Sequence, residues 1–314
     1  MIYTITLNPA LDREMTVPEI GLDHVLRANA IQTDYGGKGF NVSRVLLALG
    51  VESTALGFIG GATGDQMIAG LSQLGIQTDF VRVGGDTRIN LSVVDVNHSH
   101  YLKVNEPGPL VKDIEAAALL DKIEALVCKG DWWILAGNTP PGIQPQFITE
   151  IIHRIHAMEA FAILDMQGAC LRAGCDANAF LVKPNATEAG ELLGNQIRTI
   201  DDALIALARI HVLGARQVAI SLGKTGAVYS DGTGTWWAKP PSIKERNPIG
   251  AGDAMLAGMV WALQKNLPGN EVLKWGVASG AAAASLDGTA FGSRVLVEAL
   301  AEDVSIGEGN TYGE

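Results

Sequence analysis

At 314 residues, with 47% hydrophobic and 18% charged side chains and 37 glycines, the chain has the composition of a well-filled core with many tight turns, in one large α/β domain or two smaller ones. A formal net charge of -11 argues against a nucleic-acid or anionic-membrane surface as a partner, so any phosphate pocket must be local. Cys128, Cys170 and Cys175 form an odd set without C-x-x-C spacing, which suits reduced thiols packed as small hydrophobes.

The opening MIYTITLNPA reads as a strand without the basic and apolar regions of a leader, and VASGAAAASL at 277–286 is too short to span a bilayer. A soluble, cytoplasmic chain is expected. Strand-like runs (IYTITLN, TALGFI, WWILAG, FAILDM, AFLVKPN, QVAISLG) then alternate with helical runs such as NVSRVLLALG, DQMIAGLSQLG and IEAAALLDKIEALV. That alternation predicts a mostly parallel sheet covered on both faces, with ligands outside the carboxyl ends of its strands. Asn8-Pro9, Gly137-Asn138, Asn185 and Gly223 all follow such runs.

Segments 11–35 and 87–105 break the rhythm and alternate with period two, the second with a turn signal at Asn97-His98-Ser99. They predict a small antiparallel β lid inserted discontinuously into an α/β core made of 1–10, 36–86 and 106–314. One lid face needs cover, which an active-site lid or a dimer interface would provide, and a homodimer through the lid is one expectation.

The stretch NPIGAGDAMLAGMVWAL, 247–263, places a glycine turn before a helix whose Met255, Met259 and Leu263 recur on one face. Such a turn leaves backbone N–H groups free to bind an anion. Asp253, in the first turn, is then placed to take a proton beside a bound phosphate, with the helix dipole favouring its ionised form, or else merely decorates the helix start as acidic residues often do. GGKGFN at 36–41 also opens a helix and suits a polyhydroxylated or phosphorylated ligand, or a tight lid-to-core turn.

Competing signatures fail. Gly223-Lys224-Thr225 would need glycine at Val218 to form a P-loop, and Gly37 and Gly39 are followed by Val42 where a dinucleotide fingerprint needs a third glycine. His153 and His156 lack further ligands at zinc spacing, and Ser221 and Ser242 lack a nucleophile-elbow context. Trp132-Trp133 and Trp236-Trp237 read as packing residues, and the polar tail from Asp303 is expected to fray.

Together GGKGFNVSR, KPNATE at 183–188 and NPIGAGDAM resemble the PfkB-type (ribokinase-like) carbohydrate kinases, and the likeness runs in order from TLNPALD through SLGKTGA to the GAGD helix. TLNPALD, the lysine of GGKG and TRIN at 87–90 are most similar to the 1-phosphofructokinase and tagatose-6-phosphate kinase subgroup. The resemblance implies a ribokinase-like three-layer α/β/α sandwich with ATP and Mg²⁺ as cofactors and a phosphorylated ketohexose as substrate. Fructose 1-phosphate going to fructose 1,6-bisphosphate is favoured; tagatose-6-phosphate kinase or a 6-phosphofructokinase of the same family is the alternative. A free-sugar or nucleoside kinase would lack the basic set Arg27, Lys38 and Arg88. A non-catalytic sugar-phosphate sensor is an alternative of another class, though it would be expected to have lost Asp253 or the GAGD glycines.

By the same resemblance Asp253 is the catalytic base, with Gly250, Ala251 and Gly252 forming the anion hole. Asp12, Gly36, Gly37, Lys38, Asn41 and Asn138 grip the sugar, and Arg27 and Arg88 meet its phosphate. Lys183, Asn185, Ser221, Gly223 and Gly226 line the nucleotide, while Asn185 and Glu188 hold Mg²⁺ through water, or else simply cap a helix. One departure stands out: Asn138 occupies a position where the family commonly has serine, which bears on substrate identity more than on phosphoryl transfer.

Overall fold

The computed structural model describes residues 1–21, 23, 25–97, 100–288 and 290–309. The chain runs through β1 (Ile2–Thr6), β2 (Ala10–Val17), β3 (Ala30–Gly36), α1 (Lys38–Ala48), β4 (Thr54–Ile59), α2 (Gly61–Gln73), β5 (Gln77–Thr78), β6 (Val81–Arg82), β7 (Arg88–Asp95), β8 (Tyr101–Asn105) and α3 (Asp113–Leu126). It then alternates β9 (Trp132–Ala136), α4 (Pro145–Ala157), β10 (Phe161–Asp165), α5 (Gly168–Asp176), β11 (Leu181–Val182), α6 (Ala186–Leu193), α7 (Ile200–Val212) and β12 (Gln217–Ser221). The last elements are β13 (Ala227–Ser230), β14 (Thr235–Lys239), α8 (Ala251–Gln264), α9 (Gly269–Ala284), α10 (Arg294–Glu302) and β15 (Ser305–Glu308).

The main sheet has the order β15-β14-β13-β12-β11-β10-β9-β1-β4-β5, with β6 also on β4; it is parallel from β12 to β5 and antiparallel beyond β12. Its strands are apolar on both sides because both faces are covered, giving a three-layer α/β sandwich. On one face Trp133 packs into a core with α3, α4, α5 and α7 and stacks on Tyr3 at 4.1 Å between ring centroids. On the other its neighbour Trp132 joins α1, α8, α9 and α10 and stacks on Phe161 at 4.4 Å. Two adjacent tryptophans thus fill two separate cores, as the strand's period of two requires.

A second sheet, β3-β2-β7-β8, stands over the carboxyl ends of β1 and β9. Its outer pairs are antiparallel and its central pair, β2 with β7, is parallel, with Asp12 opposite Asn90. Parallel pairing follows from the connections, since β2 leaves the end of β1 and β7 leaves the end of β6, and both parent strands point the same way. The pleat sorts this sheet into a face with Asp12 and Asn90 and an opposite face with Ile31, Leu91, Leu102 and Val104, of which Ile31, Leu102 and Val104 are exposed.

Three expectations need correction. Helix α8 is not buried on one stripe: every residue from Asp253 to Leu263 is buried, because α9 packs against Gly258 together with Met255 and Met259 while α1 covers a further side. The tail does not fray throughout, since 305–308 form β15 against β14; residues 310–314 lie outside the described residues, as do His98 and Ser99 of the expected turn. Cys128 is exposed rather than packed inside, whereas Cys175 is buried.

The α8–α9 crossing supplies a stability test. A Cβ on Gly258 would fall 2.3 Å from Ser279 Oγ and 2.5 Å from the Trp275 carbonyl oxygen. Gly258→Ala is expected to destabilise the protein by about 1–3 kcal/mol through overpacking. Urea denaturation checks it, with a lower midpoint and an unchanged slope; an unmoved midpoint would contradict so tight a crossing.

Candidate active site

A cavity of about 460 Å³ opens at the carboxyl ends of the parallel strands, under the small sheet. The strand ends contribute Thr6 and Asn8 after β1, Gly137 and Asn138 after β9, Asp165 closing β10, Lys183 and Asn185 after β11, and Ser221 closing β12. The small sheet adds Asp12, Arg88 and Asn90, the start of α1 adds Gly36, Gly37, Lys38 and Asn41, and α8 adds Gly250, Gly252 and Asp253. Glu188 also reaches the wall. Residues that are far apart in sequence meet here because every connection from a parallel strand returns past the same edge.

Asp253 sits in the first turn of α8, behind a Gly250 N-cap whose φ of 80° is left-handed and favours glycine. Asn41 Nδ2 donates to Asp253 Oδ2 at 2.8 Å, tying the carboxylate to α1. Desolvation and then the charge of Asp165 push the Asp253 pKa up to about 7, against the opposing pull of Asn41, Lys38 and Lys183. Burial therefore outweighs the helix dipole, and the ionised form expected from the sequence is disfavoured. A carboxylate titrating near neutrality is matched to proton transfer at physiological pH.

Asp165, which the sequence analysis passed over, organises the floor. Its side chain is 1% exposed and meets Lys38 Nζ at 2.9 Å through Oδ1 and Lys183 Nζ at 3.0 Å through Oδ2. Desolvation is the largest influence on this carboxyl and opposes its charge, but the two lysines outweigh it and hold its pKa below the ordinary range. Desolvation likewise works against Lys38, yet Asp165, Asp253 and Glu188 together hold that ammonium above its usual pKa. The signal was available, because FAILDM ends a fully apolar strand on an acid, and a buried acid needs partners.

On the opposite wall Asp12 Oδ1 accepts from Asn90 Nδ2 at 2.7 Å, and desolvation raises the Asp12 pKa. Arg88 donates to the carbonyl oxygens of Asn8 at 3.1 Å and Glu106 at 3.0 Å, bridging two points where the small sheet meets the core. Thr6 Oγ1, Asn8 Oδ1, Asn90 Oδ1 and Arg88 Nε are buried without a hydrogen-bond partner among the described residues. All four residues line the cavity, so its lining there is polar and suits a hydroxyl-bearing ligand.

Asn185 and Glu188 form a reciprocal helix cap: Glu188 N donates to Asn185 Oδ1 and Asn185 N to Glu188 Oε2, each at 2.9 Å. Glu188 Oε1 remains toward Lys38, 4.0 Å from its Nζ. Among the described residues no group of three or more His, Cys, Asp or Glu side chains is arranged to hold a metal. A single outward carboxylate oxygen suits an ion that keeps its own waters, so the pair fits Mg²⁺ through water and does not fit a fully protein-ligated ion.

Four expected residues do not line the cavity. Arg27 is exposed, in the segment between β2 and β3. The Ala251 amide is already used, donating to the Pro248 carbonyl at 3.2 Å, whereas Gly252 and Asp253 of the first turn of α8 both line the cavity. Gly223 lies in a short 3-10 turn beside the cavity wall. Gly226 has a packing explanation instead, since a Cβ there would sit 2.0 Å from the Ala238 carbonyl of β14.

The arrangement combines a carboxyl titrating near neutrality, a helix N-terminus and two lysines around one space, which suits transfer of an anionic group to a hydroxyl. Comparison with known proteins agrees. The chain is 33% identical over 306 residues to the 1-phosphofructokinase of Bacillus subtilis, covering 98% of this chain and 99% of that one. It is 33% identical over 291 residues to the ATP-dependent 6-phosphofructokinase isozyme 2 of Escherichia coli, covering 92% and 94%. In three dimensions it is similar to Escherichia coli phosphofructokinase-2 in complex with potassium, with a TM-score of 0.91, 31% identity and coverage of 96% and 98%. Residues 6–295 match the family described as pfkB family carbohydrate kinase, and the chain belongs to that family of kinases.

Proposed function

We propose that this kinase phosphorylates a ketohexose monophosphate with ATP, converting fructose 1-phosphate to fructose 1,6-bisphosphate in the cytoplasm. The observation that carries the reading is that one cavity is lined by Asp253 together with Asp12, Asn90, Arg88 and Asn138, which would take the sugar, and with Lys183, Asn185 and Ser221, which would take the nucleotide. The full-length similarity to proteins named 1-phosphofructokinase favours this substrate over other ketohexose phosphates. A second reading, fructose 6-phosphate as acceptor, is supported by the relative named 6-phosphofructokinase isozyme 2, and tagatose 6-phosphate stands as a further alternative.

In this reading the sugar's C6 hydroxyl loses its proton to the Asp253 carboxylate as its oxygen attacks the γ-phosphorus of ATP and the bond to the ADP oxygen breaks. Lys38, Lys183 and the Gly252 and Asp253 amides offset the charge on the transferred group, and such positioning plus charge neutralisation is most of what the transfer needs. Asp12 accepts from sugar hydroxyls, Asn41 orients Asp253, and Arg88 faces the phosphate already on the sugar. Gly36, Gly37 and Asn138 complete the sugar wall. Asn185 and Glu188 would hold Mg²⁺ through water, and the ion would supply charge neutralisation on the nucleotide phosphates.

The small sheet, made of 11–35 and 87–105, is proposed to act as a lid over the sugar, with 1–10, 36–86 and 106–314 as the core. Its outer face carries exposed Ile31 on edge strand β3 and exposed Leu102 and Val104 on the opposite edge strand β8, which supports a homodimer in which two lids pack together. Sedimentation velocity at micromolar concentration is expected to give a dimer that Leu102→Asp dissociates; a wild-type monomer would remove this part of the reading.

The activity test is ADP release from MgATP with fructose 1-phosphate, fructose 6-phosphate, tagatose 6-phosphate, fructose, ribose and adenosine. Fructose 1-phosphate is expected to give the highest kcat/KM, with Asp253→Asn lowering kcat by about 10²–10⁴-fold. Because the base must be ionised and its pKa is raised to about 7, kcat/KM should fall as pH drops below that value. Turnover of a free sugar or nucleoside alone would defeat the substrate assignment; full activity of Asp253→Asn would defeat the mechanism.

A further inference from the structure

Resting on the kinase reading above, we propose that Arg44 is a positioning residue for phosphoryl transfer, bracing the anion-binding turn of α8 against the base of the lid. Arg44 lies one turn beyond Asn41 on α1, does not line the cavity and has a side chain only 17% exposed. Its Nη1 donates to both oxygens of Asp34, at 3.1 and 3.3 Å. Asp34 is in lid strand β3, directly opposite Asp12 of the sugar wall. The guanidinium thus grips the lid at the strand next to a proposed substrate ligand.

The same guanidinium lies over the ring of Phe291, with its carbon 5.1 Å from the ring centroid. That ring in turn abuts Gly250, where a Cβ would fall 3.2 Å from its edge. The two segments are also sewn together: Arg246 N donates to the Ala284 carbonyl at 2.9 Å, Asn247 Nδ2 to the Gly288 carbonyl at 2.7 Å, and Arg246 pairs with Asp287 at 2.8 Å. Phe291 is therefore a wall against which the left-handed Gly250 turn rests, and Arg44 holds that wall in place. Asn41, on the same helix, fixes the Asp253 carboxylate from the other side.

The chemistry explains why an arginine stands there. A planar guanidinium can lie flat on an aromatic face while its N–H edge engages a carboxylate, and an ammonium cannot do both. The Gly252 and Asp253 amides must point where negative charge develops, so a small rotation of the Gly250 turn weakens the transition state more than it weakens ground-state binding. Loss of Arg44 should consequently act on kcat.

The experiment is steady-state kinetics of the full-length enzyme with MgATP and the preferred ketohexose phosphate, normalised to nucleotide-binding stoichiometry. Arg44→Met keeps the apolar stem and is expected to lower kcat about tenfold or more while both KM values stay within about threefold. Arg44→Lys should not restore kcat, and Phe291→Leu should reproduce the loss. Arg44→Met combined with Phe291→Leu should be no worse than the poorer single variant, because the two act as a unit. Wild-type kcat in Arg44→Met overturns the proposal, as does wild-type kcat in Phe291→Leu if Arg44→Met fails to fold. Losses that multiply in the double variant, or that fall wholly on KM, also overturn it. Absence of wild-type turnover on every sugar removes the kinase reading and this proposal with it.

Discussion

Asp165 carries a negative charge on a side chain that is almost wholly buried, and the site is arranged around keeping it there. A buried carboxylate without partners would cost several kcal/mol, so Lys38 from the start of α1 and Lys183 from the end of β11 must both stay within reach. Those two ammonium groups are then fixed on the cavity floor before any ligand arrives. The same negative charge reaches Asp253, where it adds to burial in raising the carboxyl pKa. One buried ion triad thereby sets both the cationic floor and the proton affinity of the neighbouring acid.

The fold serves this triad by bringing its parts from separate segments to one edge. Strands β1, β9, β10, β11 and β12 end at the cavity, so a parallel sheet delivers five short loops to a single space. Helix α8 must then be held rigidly, because its first turn carries the acid. Its burial on all sides, against α1 and α9, meets that need at the cost of small residues wherever helices cross.

Much of this was legible from the residues. The apolar runs identified the parallel strands because strands covered on both faces need no alternation, and the period-two segments identified the small sheet because one of its faces is polar. Asp253, Lys38, Asn41 and Asn185 were found through glycine turns and helix starts, which leave local marks. Asp165 was missed because an acid ending an apolar strand signals that partners are needed without naming them; the partners are two lysines 127 and 18 positions away. Gly226 poses the converse difficulty, since a glycine required by a neighbouring strand and one required by a phosphate look alike in sequence. The parallel join of β2 to β7 was hidden as well, being set by the direction of the parent strands and not by any residue in the pair. The raised Asp253 pKa could not be foreseen either, because the helix dipole is a local property and desolvation is a tertiary one.

The account stands on Asp253 being a buried acid that titrates near neutrality because of its surroundings. The most direct measurement is a ¹³C NMR titration of carboxyl-labelled aspartate in the folded protein, with Asp253→Asn to assign the resonance. The account predicts one aspartate carboxyl that is protonated below and ionised above a midpoint near pH 7, absent from the variant. If every aspartate carboxyl that titrates does so at the ordinary value near 4, burial and Asp165 do not tune Asp253, and the central claim fails.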